Sequence, residues 1–240
     1  EDGHALAAVL FGDVNPSGKL PVTFPTSLAT VPAATAAQWP GTAGIGVAYS
    51  EGLRVGYRGY DARGVAPQFA FGSGLSYTTF AFRRLRVTRS TKTGRVAVSV
   101  DVANTGSRAG ADVVQLYVGY PPAAGEPPRQ LRAFRRVTLA PGHHTRVRLQ
   151  LDESALSHWD QRRQRSVASA GDYEIFVGDA SNHLPMHATT RLTRTRLGTR
   201  APSPSAPSAA ATGDASDRQR CPADVGLAMA NGVLSTPVTP

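Results

Sequence analysis

A few groups in this 240-residue chain have types and spacings that could do chemistry: the adjacent carboxylates Glu1-Asp2 and Asp152-Glu153, the pair His143-His144, Trp39 and Trp159, and the glycines Gly72 and Gly74. Two carboxyl groups that face one another can share general acid and base work. Neighbours in an extended chain point to opposite sides, so both pairs read as solvated side chains or turn ligands. Asp13 reads as part of a turn, and Asp101 and Asp112 as outward-facing or strand-entry positions. His143-His144 sits in Pro141-Gly142-His143-His144 without an acidic residue at metal-ligand spacing, which gives no zinc site. Cys221, the single cysteine, allows neither an intrachain disulfide nor a thiolate cluster. Serine-hydrolase chemistry has no support, because no Gly-x-Ser-x-Gly elbow occurs. Gly72, Gly74 and Tyr77 lack the third glycine and following helix of a dinucleotide fingerprint, so tight turns are the expectation. No catalytic, cofactor-binding or metal-binding residue is therefore assigned.

The tryptophans admit two roles. An indole face can stack on a pyranose ring or fill a core, and packing is the favoured reading for Trp39 and Trp159. Tyr173 follows Gly171-Asp172 at a strand start and fits a tyrosine corner, whose hydroxyl bonds to backbone upstream.

The elements that must position these groups change character along the chain. Ala5, Leu6, Val9 and Leu10 have helical spacing over residues 2–11, with Gly12 as a stop. Asn15-Pro16-Ser17-Gly18 has β-turn chemistry, and Leu20, Val22 and Phe24 alternate as a short strand that Pro21 confines to a sheet edge or a bulge. One helix and one strand cannot bury their apolar faces alone, so residues 1–25 read as the end of a larger domain. Residues 26–77 read as a linker of low regularity, with a short hairpin expected within Tyr49–Asp61. From Phe80 the period becomes two: a first strand with a bulge at Arg83-Arg84, then Val96, Val98, Val100 and Val102 alternating with Ala97, Ser99, Asp101 and Ala103. About seven such strands across residues 78–193, without a Cys-Trp-Cys signature, predict a disulfide-free immunoglobulin-like β-sandwich. Residues 194–240, rich in Pro, Ala and Ser, are expected to be a disordered tail.

Three blocks carry a resemblance. Gly12-Asp13-Val14-Asn15-Pro16-Ser17-Gly18-Lys19-Leu20-Pro21-Val22-Thr23-Phe24-Pro25, then Tyr49 to Asp61, then Phe71-Gly72-Ser73-Gly74-Leu75-Ser76-Tyr77-Thr78-Thr79-Phe80 resemble, in the same order, the C-terminal part of family 3 glycoside hydrolases. That is the β-glucosidase and β-xylosidase group. The resemblance covers roughly residues 1–193. It implies a mostly β fold, a fibronectin type III-like sandwich preceded by a helix-strand remnant of an α/β-sandwich domain. It also implies a retaining parent enzyme without a cofactor, whose nucleophilic Asp lies in a (β/α)8-type barrel and whose acid/base, commonly a Glu, lies in the second domain. Neither position falls in this chain. Glu1 matches a different family motif, at the start of the last helix. The family also places a Trp-Asp pair like Trp159-Asp160 ahead of the strand containing Tyr173. The partners implied are the missing barrel and α/β-sandwich domains and the parent's oligosaccharide substrate. A supporting role predicts an apolar face on the linker, whereas a carbohydrate- or surface-binding module predicts exposed aromatics on the sandwich itself.

Bulk properties narrow the remaining classes. The net charge of +9 raises the question of nucleic acid. Lysine occurs only at Lys19 and Lys92, and the arginine comes with abundant Ala, Gly and Pro, so composition explains it without a nucleic-acid partner. No apolar run is long enough to span a bilayer. The only methionines are Met186 and Met229, and any export signal is expected in a preceding segment, with the parent periplasmic or extracellular.

Overall fold

Alternation of valine with small or polar residues gives strand β2 (Val96–Asn104) one buried and one open face, and the sandwich grows from it. The computed structural model describes residues 2–41, 46–90 and 93–200. Of the disordered tail expected over 194–240, residues 201–240 lie outside them, while Arg196–Arg200 forms a strand hydrogen-bonded to Arg165–Ala168, which corrects the expectation of disorder there. β2 pairs antiparallel with β1 (Phe80–Arg89) on one side and β5 (His144–Leu151) on the other. A second antiparallel sheet has the order β4-β3-β8-β9, from Gln130–Leu139, Gly110–Gly119, Gly171–Gly178 and Met186–Leu192. These seven strands are the ones the alternation predicts.

Val96, Val98, Val100 and Val102 are at most 1% exposed, and they meet Val114, Leu116 and Val118 of β3 and Tyr173, Ile175 and Val177 of β8 across the sandwich. The register of β1 slips between Arg83 and Arg86, with Arg84 at φ 53°, so the bulge falls where the change of phase places it. Tyr173 completes its corner by donating to the Ser169 carbonyl at 2.9 Å.

Three short strands were not legible. β6 (His158–Asp160), β7 (Arg165–Ala168) and β10 (Arg196–Arg200) form a small third sheet in the order β10-β7-β6. At three to five residues they are too short for period two to register.

The N-terminal part corrects two local expectations. The first helix, α1, runs Asp2–Leu10 as its spacing indicates. Leu20 to Phe24, however, forms no regular strand. Phe24 makes an isolated bridge to Phe69, while Leu20 exchanges backbone hydrogen bonds with Gly72 and Ser73. Pro21 and Pro25 remove two of the amides that a ladder needs. Within Tyr49–Asp61 the hairpin is replaced by turns leading into helix α2 (Tyr57–Arg63), which ends at Gly64 in the left-handed conformation. Gly59 inside α2 is a close-approach residue, since a Cβ there would collide with the Arg54 carbonyl and Pro32.

Two measurements test this packing. In denaturant melts, Val98→Ala and Val100→Ala should each cost about 1–3 kcal/mol through lost burial and a residual cavity, while Ser99→Ala should stay within about 0.5 kcal/mol. Equal losses at the three positions would refute the register. The second test is alkaline. Burial pushes Tyr120 and Tyr173 up to about 12, and Tyr117 upward also. Above about pH 10 the unfolded chain releases phenolic protons that the fold retains, so the tyrosine contribution should be fully present up to that pH and stability should fall between about 10 and 12. A denaturant midpoint that stays flat across this window would contradict it.

Candidate functional site

β3 is buried on both faces. Val114, Leu116 and Val118 point into the sandwich, Gln115 and Tyr117 point the other way, and Asp112 is buried at the start of the strand; these last three are 0–3% exposed. Polar groups removed from water need partners, and these partners come from the residues before the sandwich. Gln115 donates its amide to the carbonyls of Gly72 (3.1 Å) and Asp179 (2.5 Å) and accepts from the Tyr117 hydroxyl at 2.7 Å. Gly72, at φ 81°, lies against this amide so closely that a Cβ would overlap the Gln115 side chain. The Tyr57 ring stands edge-on to Tyr117 at 5.7 Å and stacks on Phe71 at 4.9 Å, and its hydroxyl accepts from the Leu131 amide at 2.9 Å.

Charged pairs flank the aromatic cluster. Arg129 grips Asp61 of α2 with two hydrogen bonds of 2.9 and 3.0 Å. Lys19 pairs with Asp112 at 2.8 Å. Asp112 sits at the strand entry but is buried and paired rather than outward-facing, because the Lys19 segment folds over the start of β3. Asn15, read only as a turn former, holds three segments together: it donates to the Ala109 carbonyl and accepts from the Ser76 hydroxyl and the Tyr77 amide. Residues 26–77, read as a linker, hold short helices at Leu28–Thr30 and Tyr57–Arg63 among the described residues and are fastened to the sandwich rather than tethered loosely.

The outer side of the same segment is apolar and open. Of the eighteen large hydrophobic side chains that stand exposed among the described residues, fifteen lie before residue 78, among them Leu6, Leu10, Phe11, Phe24, Leu28 and Leu75. Trp39 is 74% exposed and Trp159 44%, which corrects the packing reading of both indoles. Asp152 caps a short turn, accepting from the Ser154 hydroxyl and the Ala155 amide, and these bonds hold its carboxyl below the usual range. Asp101 is held low by its two bonds from Arg146. Glu1 lies outside the described residues. Among the described residues, no group of three His, Cys, Asp or Glu side chains converges as a metal site, and no helix is long and apolar enough to cross a membrane.

Fold and surface together define a fibronectin type III-like sandwich carrying the closing segment of another domain. Residues 112–181 match the fibronectin type III-like domain model, and residues 1–77 match that of the glycosyl hydrolase family 3 C-terminal domain. The chain is the C-terminal part of a family 3 glycoside hydrolase. It is 44% identical over 199 residues to a beta-glucosidase of Rhizobium radiobacter, covering 78% of this chain and 24% of that protein. It is 38% identical over 196 residues to thermostable beta-glucosidase B of Acetivibrio thermocellus, covering 80% and 26%. The crystal structure of the Bifidobacterium adolescentis GH3 beta-glucosidase superposes with a TM-score of 0.74 at 38% identity, over 79% of this chain and 28% of that one. The beta-glucosidase 3B of Thermotoga neapolitana in complex with alpha-D-glucose also gives 0.74 at 38% identity, over 82% and 27%. The chain thus spans about a quarter of the length of the relatives it matches.

Lys19→Met should cost about 3 kcal/mol, the low end for breaking a buried pair, since Lys19 keeps some solvent access. Adding Asp112→Asn should recover much of that loss. A null effect of Lys19→Met in urea melts would show that the pair does not fasten the segment to β3.

Proposed function

We propose that this chain is the supporting C-terminal part of a retaining hydrolase of terminal β-linked glucose or xylose, whose two carboxylates sit in the preceding domains, and that alone it does not turn over substrate. The names of the relatives support the sugar chemistry. The observation that carries the supporting role is the apolar surface before residue 78, placed on the segment that matches the family's C-terminal domain model. Left open to water, that much clustered apolar area marks an interface. Its occupant is the rest of the parent's α/β-sandwich domain, which would cover Leu6 and Leu10 of α1. The sandwich then acts as a brace, because β3 is tied through Gln115, Tyr117 and Asp112 to the strip that the catalytic domains sit on.

Reconstitution tests this reading. The purified chain should leave aryl β-glucosides and β-xylosides intact. Mixed with the N-terminal remainder of the Rhizobium radiobacter beta-glucosidase, expressed without its own C-terminal quarter, it should restore hydrolysis. Leu10→Ser with Phe11→Ser should weaken that restoration at least about tenfold, as losing roughly 1.4 kcal/mol of docking energy does. Turnover by the chain alone, abolished by mutating one of its own acids, would overturn the proposal.

A further inference from the structure

On the side of the sandwich served by β4 and β6, a cleft of about 560 Å³ opens between α2, the start of β4 and the β6–β7 hairpin. Its size lies within the ~300–1,000 Å³ usual for small-molecule sites. Trp159 lines it with an indole 44% exposed, one of three large exposed hydrophobics beyond residue 77 among the described residues. The polar wall is held in place. Gln130, 8% exposed, donates to Glu126 at 2.5 Å and accepts from Arg132 at 3.1 Å, and the Arg132 guanidinium lies over the Tyr120 ring at 5.3 Å. Tyr120 also meets His158 edge-on at 6.5 Å. Two atoms of lining residues, Arg132 Nε and His158 Nδ1, have no hydrogen-bond partner in the protein. Buried polar atoms without partners are uncommon and point to something else that satisfies them.

We infer that this cleft binds a neutral oligosaccharide, with one pyranose ring stacked on Trp159 and its hydroxyl edge against Gln130, Arg132 and Glu126. The charge balance selects the ligand class. Arg58 and Arg132 are matched by Glu126 and Glu153 around the cleft, so neither an anion nor a cation is favoured. A pyranose has an apolar C–H face and a rim of hydroxyls that donate and accept. This matches an aromatic face beside side chains already fixed by one another, where little ordering cost remains on binding. The site meets the proposed docking surface only at Leu53, its sugar-facing side chains lie on the sandwich, and it involves none of the parent's carboxylates. It stands whether or not reconstitution succeeds.

Fluorescence of the full chain in a Trp39→Phe background isolates Trp159, since the protein has two tryptophans. Titration with cellotetraose or xylotetraose should give a saturable change that sorbitol, which has hydroxyls but no ring, does not reproduce. By calorimetry, Trp159→Ala and Gln130→Ala should each weaken binding about tenfold or more. Trp159→Phe, which keeps an aromatic face should the alanine variant unfold, should retain part of the affinity. The absence of a saturable response, unchanged affinity in both the Trp159→Ala and Gln130→Ala variants, or tighter binding of tetragalacturonate than of the neutral sugars would overturn the inference.

Discussion

The structure depends on β3 being covered on both sides. A strand with one face in a sandwich core normally presents its other face to water, and side chains there can be polar without constraint. Here that second face carries a tyrosine and an amide out of solvent, and a buried carboxylate stands at the start of the same strand. Each needs a specific partner, and the partners are a glycine carbonyl, another tyrosine and a lysine from the chain before the sandwich. The requirement runs in both directions. Removing the N-terminal segment would expose Tyr117, and removing β3 would leave Lys19 without its carboxylate and Tyr57 without one of its ring contacts.

That reciprocity sets what the sandwich contributes. Two bodies joined only by a loop swing freely, whereas two joined through a stacked aromatic cluster, a bidentate Arg129–Asp61 pair and an asparagine bridging three segments behave as one. The apolar strip before residue 78 is consequently held in a fixed shape without a partner on it.

How much of this was legible depended on range. The valine alternation of β2, the bulge at Arg83-Arg84 and the Tyr173 corner are written in neighbouring residues, and each sits where the sequence places it. The family's motif blocks were legible too, but as landmarks without mechanism: nothing local to Asn15, Tyr57 or Gly72 says that they meet Ala109, Leu131 and Gln115, which lie 43 to 94 positions away. Asp112 was misplaced for the same reason, since a carboxylate at a strand entry looks solvated until a remote lysine is folded onto it. Of the candidate site, the two tryptophans stand out in the sequence, but as large aromatics they read as core while the fold leaves both exposed. The signal against that reading existed in Trp159's polar neighbours Ser157, His158, Asp160 and Gln161, an unpromising context for a core residue.

The distribution of arginine along the sandwich has a further consequence. The central strands β2, β3 and β8 contain none, whereas each outermost strand does: β1 has Arg83, Arg84, Arg86 and Arg89, β4 has Arg132, Arg135 and Arg136, β5 has Arg146 and Arg148, and β9 has Arg191. An outermost strand offers free amides and carbonyls to any other strand it meets, and cationic side chains or a bulge there discourage such pairing between molecules. Part of the chain's basic excess thus has an address in the fold. It guards the open borders of two sheets against fibril-like self-association, a safeguard that matters most for a chain whose other exposed surface is already apolar.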